Sequence, residues 1–188
     1  MSLPDQQIIY TIGHSTHPYD EFVQLVRPYH IQTLVDVRSK PQSRFPQFNR
    51  AFLEKTLPKD HINYVFLGNE LGGHPTADDQ YDSEGHALYE RLSKTKDFGR
   101  GVKQLLDMAS NTGLVIMCAE GNPAECHRHP LLSRVLLERM VKVVHILRDG
   151  STQEAADLFA QTTTAPPQLP LMEPPGEDLS WRSPKKIR

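Results

Sequence analysis

The chain has two cysteines, Cys118 and Cys126, and both fall in one stretch, LVIMCAEGNPAECHRHPLL (114–132), with Glu120, His127 and Arg128 among them. Three chemistries suit these residue types. Cys118 ends an apolar run and would pack there as a small hydrophobe. Cys118, Cys126 and His127, with Glu120 beside them, also offer soft and borderline metal ligands. Their spacing, C-x7-C-H, matches no familiar zinc pattern, so no metal site is assigned. The third chemistry is that of a thiolate. A cysteine between a strand and a helix N-terminus gains from the helix dipole and from nearby arginines, which lower its pKa. Such a thiolate attacks a phosphoryl or sulfur centre. Cys126, at the expected helix start, is the slightly preferred nucleophile over Cys118, and Glu120 and His14 are the acid–base candidates.

A second cluster follows Asp36, where Arg38, Lys40, Ser43 and Arg44 share the short segment RSKPQSRFPQF (38–48). Guanidinium forks match phosphate or carboxylate oxygens. Arg38 taken alone would equally be an ion pair or a loop anchor. Clustered with Arg44, Lys40 and the Ser43 hydroxyl, it reads as an anion site. Arg128 would add charge, backbone N–H groups near Gly121 and Asn122 would assist, and Ser15 and His127 complete the binding candidates. Among the other histidines, His145 lies inside an apolar strand and reads as a satisfied core residue. His17, His30, His61 and His86 read as surface positions, and His74 beside Pro75 is left unassigned.

These residues need elements to carry them. Apolar, β-rich runs predict strands over 7–12, 33–37, 63–67, 114–118 and 142–147. Between them, helical periodicity places Phe22, Leu25, Val26 and Tyr29 on one face, and Phe98, Val102, Leu105, Leu106 and Ala109 on another. Asn49 is placed to cap a short helix, and Ser151-x-x-Glu154 reads as a capping box. A helix is expected from about 125 to 140, and residues 68–86 read as a long loop. Five strands alternating with helices predict an open, mostly parallel five-stranded sheet with helices on both faces, a Rossmann-like three-layer α/β fold. Ligands in such sheets sit outside the carboxyl ends of the strands, where the residues above would meet.

With 188 residues, the chain divides into a single α/β domain over 1–161 and a proline-rich tail over 162–188. A net charge of −2 does not suit broad electrostatic binding to nucleic acid, so an anion site must be local. No secretory leader or membrane span is recognised, and a cytoplasmic protein with reduced thiols is expected. No membrane partner is expected, and the cofactor is left unknown.

Four segments in order, YTIGHSTHPYDEFVQLV, LVDVRSKPQSRFPQFN, YVFLGNELGG and VIMCAEGNPAECHRHPLLSRVL, resemble the domain-of-unknown-function 488 family over residues 8–148. The resemblance implies a compact α/β domain whose presumed site comprises the GHS, DVR-x-x-P-x-S-R, LGG and C-x-E-x5-CHR segments. It implies no reaction. The cysteine segment also loosely resembles rhodanese and cysteine-phosphatase loops, but there an arginine closely follows the cysteine. Here Pro123 and Ala124 occupy that stretch.

The expected function is therefore an enzyme-like protein with a polar pocket for a phosphate-bearing nucleotide or nucleic-acid substrate. A noncatalytic phospho-ligand or nucleic-acid binding module and a thiol-dependent transferase or hydrolase are the alternatives. A homodimer involving the tail is a further expectation. Trp181 should be mostly buried, because an aromatic side chain carries a large apolar area.

Overall fold

A computed structural model describes residues 7–163 and 181–188. The expectation for the tail's Pro174 and Pro175 lies outside the described residues. Six strands form one sheet: β1 (Ile8–Gly13), β2 (Thr33–Asp36), β3 (Asn63–Phe66), β4 (Leu114–Cys118), β5 (Lys142–Ile146) and β6 (Thr152–Glu154). Their order is β3-β2-β4-β1-β5-β6. All neighbouring pairs are parallel except β5 and β6, which are antiparallel.

The five expected strands form where the apolar runs lie. The sixth corrects the reading of Ser151–Glu154 as a capping box. Thr152–Glu154 pairs with Val144–Ile146 instead, and the following helix begins at Ala155.

Helices cover both faces. They are α1 (Tyr19–Val26), α2 (Arg50–Thr56), α3 (Gly68–Leu71), α4 (Tyr89–Ser93), α5 (Lys96–Ala109), α6 (Arg134–Leu137) and α7 (Ala155–Thr163). A π-helical turn, Arg128–Ser133, runs directly into α6. The expected helix from 125 thus starts three residues later, and Cys126 itself is extended.

Strand β4 shows why two layers are needed. Leu114, Ile116 and Cys118 join one apolar cluster, with Phe98, Val102 and Leu105 of α5. Val115 and Met117 point the other way, into a cluster with Phe22, Val23 and Val26 of α1. Successive side chains of a strand face opposite ways, so an all-apolar strand must be covered twice.

Several local readings change. Residues 68–86 contain α3, which packs against α5 where Gly101 meets Glu70 and Leu71. Asn49 precedes α2, but its Oδ1 accepts from Ser43 N at 2.7 Å rather than capping the helix. His17 is buried rather than exposed. His86 is half-buried and holds the Ser183 carbonyl at 2.7 Å. His145 is the satisfied core residue expected, bonded to Thr11 Oγ1 at 2.7 Å and to His129 Nδ1 at 3.1 Å. Among the described residues, no helix is long and apolar enough to cross a membrane.

Residues 181–188 dock on the domain. Trp181 is partly buried against the first cluster, and its Nε1 donates to Pro130 O at 2.6 Å. Leu88 and Arg182 form an antiparallel bridge, and Ser183 exchanges bonds with Ala87 through its backbone N–H and its hydroxyl.

Candidate functional site

Strand β4 runs between β1 and β2, so the carboxyl ends of these three strands lie side by side. Gly13 is in register with Cys118, and the ladder continues beyond the strands through His14 N to Cys118 O and Ser15 N to Ala119 O, each at 2.9 Å. After Cys118 the chain turns back. Asn122 Oδ1 accepts from Ala124 N at 3.1 Å and opens a tight turn over Pro123–Glu125. That turn returns Cys126 to the end of β4.

Arg128 fastens the return. Its side chain is fully buried, with Nη2 donating to Glu120 O at 2.7 Å and Nη1 to Thr11 Oγ1 at 2.9 Å. Its Nε donates to Cys126 Sγ at 3.4 Å. Its guanidinium is therefore a structural clamp beside the thiols, with its donors spent on protein acceptors rather than on a substrate.

The two thiols meet over one imidazole. Cys118 Sγ lies 3.7 Å and Cys126 Sγ 3.8 Å from His127 Nδ1. Cys118 Sγ also donates to Glu120 Oε2 at 3.2 Å. All three residues of the triangle are buried, and their donor atoms lie within 4.8 Å of one another. The spacing argument against a metal set is thereby removed, because the turn closes the seven-residue gap. The hydrogen bond to Cys126 and then burial push the Cys118 thiol well up. Burial opposes ionisation of Cys126 too, but the neighbouring Cys118 side chain, Arg128 and His127 outweigh it and hold that thiol well below its usual range.

Arg38 has the role of the ion pair and loop anchor. Its Nε and Nη2 donate to the two oxygens of fully buried Asp36 at 2.9 and 2.6 Å, and Nη2 also reaches Phe48 O at 2.8 Å. Tyr64 OH completes the Asp36 shell at 2.7 Å. The remaining guanidinium nitrogen, Nη1, meets His14 Nε2 at 3.3 Å. His14 lies behind the cleft wall, stacked on Phe48 with centroids 4.3 Å apart, and Nδ1 faces Ser15 O at 3.0 Å. Burial and then Arg38 lower its pKa to about 4, so it is neutral at pH 7. It is not placed as the acid–base group.

Other expected residues fall outside the cleft. Arg44 is exposed and lies over Phe45 at 5.0 Å, and Ser43 Oγ accepts from Phe45 N at 3.1 Å. Ser15, with a left-handed φ of 48°, and Gly121 pack against each other. Exposed Asn122 spends its amide on Ala124 and Glu125. The expected single cluster of His14, Arg38, Arg44, Cys118, Glu120 and Arg128 is thus only partly assembled.

The cleft has a volume of about 370 Å³. Cys118, Cys126, His127 and Glu120 line one side of it. Arg38, Lys40, His74, Tyr89 and the segment Ser183–Ile187 are among the other residues that line it. Lys185 is paired with Glu125 at 2.9 Å, whereas Lys40 and Lys186 stand exposed at the mouth. The sequence reading missed Lys185, Lys186 and Tyr89. The basic run SPKKIR was visible, but nothing local tied it to a cysteine loop more than 50 residues upstream. Gly73 of the LGG segment also has a role, since a Cβ there would lie 2.6 Å from His127 Cγ. Only glycine lets that ring stand beside the thiols.

The fold and cleft define an open α/β protein with a buried dithiol–imidazole cluster at the carboxyl edge of its sheet. The chain belongs to the Domain of unknown function DUF488 family, which matches residues 18–135. No curated protein and no solved structure matches it.

Proposed function

We propose that the cleft is the site of an enzyme acting on a small phosphate-bearing substrate, a nucleotide or the end of a nucleic acid. The observation carrying this reading is the pairing of a cationic mouth, Lys40 and Lys186, with a floor of Cys118, Cys126 and Glu120 in one cavity. Lysine ammonium groups recognise phosphate as point charges, without the bidentate geometry of arginine. Glu120 is the acid–base group in this reading, since its carboxylate reaches Cys118 Sγ at 3.2 Å. The anion-binding role shifts from Arg38, Arg44 and Arg128 to the lysines, because two of those guanidiniums are spent on the fold and the third is outside the cleft.

Titration of the labelled protein with inorganic phosphate, a nucleoside monophosphate and a short oligonucleotide, followed by NMR, tests this reading. Signals of Lys40, Lys186, Glu120 and His127 should move together. An exposed charge pair contributes up to ~1 kcal/mol, so the double variant Lys40→Ala/Lys186→Ala should weaken binding by roughly five- to thirtyfold. If none of the three ligands moves these signals, the reading is wrong. A nucleotide bound and recovered unchanged under all conditions would make the cleft a binding module instead.

A further inference from the structure

We propose that Cys118, Cys126 and His127 bind a single zinc ion at the floor of the cleft. This goes beyond the phosphate reading and does not depend on it, because it rests on the thiols and the imidazole and not on the lysines. The donor atoms are of the right kind. Two thiolates and an imidazole are ligands zinc favours, and three protein ligands plus one open position is the pattern of catalytic zinc sites.

The sulfur-to-nitrogen distances fit as well. Zn–S bonds of about 2.3 Å and Zn–N bonds of about 2.0–2.1 Å in a tetrahedron separate sulfur from nitrogen by about 3.6 Å. The observed separations from His127 Nδ1 are 3.7 and 3.8 Å. Both cysteines and the histidine are buried yet line the cleft, so an ion has a way in and a dry seat. The outer groups fit the charge. Two thiolates neutralise a divalent ion, while Arg128 and Glu120, which contact Cys126 and Cys118 respectively, offset each other. Arg128 Nε donates an N–H to Cys126 Sγ and so supports that ligand from outside, while His127 Nε2 is buried with no hydrogen-bond partner among the described residues. Gly73 keeps the His127 ring turned so that Nδ1 faces both sulfurs. Glu120 and the cleft lie beside the three ligands, where a substrate group would meet the ion.

The test uses the full-length chain, reduced, stripped with a chelator and titrated with Co²⁺ alone and then Zn²⁺ alone. One equivalent of Co²⁺ should bind with sulfur-to-cobalt charge-transfer absorption and the strong ligand-field bands of a tetrahedral ion, and Zn²⁺ should displace it. Loss of an outer partner already costs about 10–100-fold in affinity. Cys118→Ser and Cys126→Ser should therefore each cost more than about a hundredfold, while Lys40→Ala/Lys186→Ala leaves metal affinity unchanged. Cobalt binding without thiolate absorption, or with equal affinity in both cysteine variants, overturns the proposal. Should those variants fail to fold, the unmodified chain still decides the matter. Zinc must slow iodoacetamide labelling of both thiols, read by mass spectrometry, and equal labelling rates with and without zinc overturn it. Phosphate titrations fail or succeed separately, through the lysines.

Discussion

A Cβ on Gly13 would lie 1.7 Å from the carbonyl oxygen of Glu120. The end of β1 and the loop after β4 approach so closely that only a hydrogen fits between them. The same carbonyl accepts from Arg128 Nη2 at 2.7 Å, so this contact sets the clamp behind the thiols. Gly13→Ala should therefore destabilise the protein by about 3 kcal/mol or more, because a backbone atom cannot step aside as a side chain can. Thermal denaturation should show a Tm about 6–12 °C lower. Gly99→Ala is the control. Nothing lies within 4 Å of a Cβ at that position of α5, and alanine there should stabilise by roughly 0.5–1 kcal/mol.

Arg38→Ala should act on stability before it acts on any ligand. The variant strips the fully buried Asp36 carboxyl group of the donors from Nε and Nη2. Removing one partner of a buried pair costs about 3–5 kcal/mol. Urea denaturation should show that loss. A variant as stable as the parent, with weakened phosphate binding, would return Arg38 to the substrate.

Acid should destabilise the fold from pH 6.5 downward, before the carboxylates titrate. Burial first, then neighbouring Arg128, lowers His145 to about 3, and burial with Arg38 lowers His14 to about 4. Both folded-state values lie below the unfolded value of about 6.5. The unfolded chain thus binds more protons over this range. The stability contributed by the neutral rings is complete above about pH 6.5 and is lost as the pH falls toward the folded values. Each ring adds a slope of up to about 1.4 kcal/mol per pH unit. Urea midpoints measured between pH 7 and 4.5 should fall accordingly, and a flat profile would contradict neutral burial.

Trp181→Ala should loosen the segment that walls the cleft. The indole donates to Pro130 O at 2.6 Å, and the Arg134 guanidinium lies over its ring at 4.4 Å. Because the ring is only partly buried, the cost should be about 1.5–3 kcal/mol, below that of a core tryptophan. Phosphate affinity should fall with it, since Lys185 and Lys186 ride on the same segment. Truncation after Thr163 should reproduce both losses. An unchanged Tm and unchanged affinity on truncation would separate the segment from the cleft.

Gly73→Ala should displace His127 without removing either thiol. The new methyl would meet His127 Cγ at 2.6 Å and Cβ at 2.7 Å, so the residue itself must shift. Cobalt should then bind more weakly, by roughly tenfold or more, with charge-transfer absorption retained, as for loss of an orienting contact.

Five parallel strands and the helices on both faces were legible in the sequence because apolar periodicity reports burial directly, as the unbroken run Leu114–Cys118 does. Strand β6 was not, because Thr152, Gln153 and Glu154 carry no apolar signal and become a strand only by pairing with β5. The sequence also held the choice at Arg38, an ion pair or an anion ligand, since Asp36 stands two residues away. Only the packed Asp36 site, closed by Tyr64 and Phe48 O, decided it.

The residue types of the thiol cluster could be read from one segment, but their meeting could not. That depends on the turn capped by Asn122 and on Arg128 reaching Glu120 O and, far along the chain, Thr11. Lys186 of the mouth was the least legible residue, because its place depends on Trp181 docking at Pro130. Local pattern specifies what a segment can bury. Which buried groups then face one another is set by strand order and by long-range contacts, which only the folded chain contains.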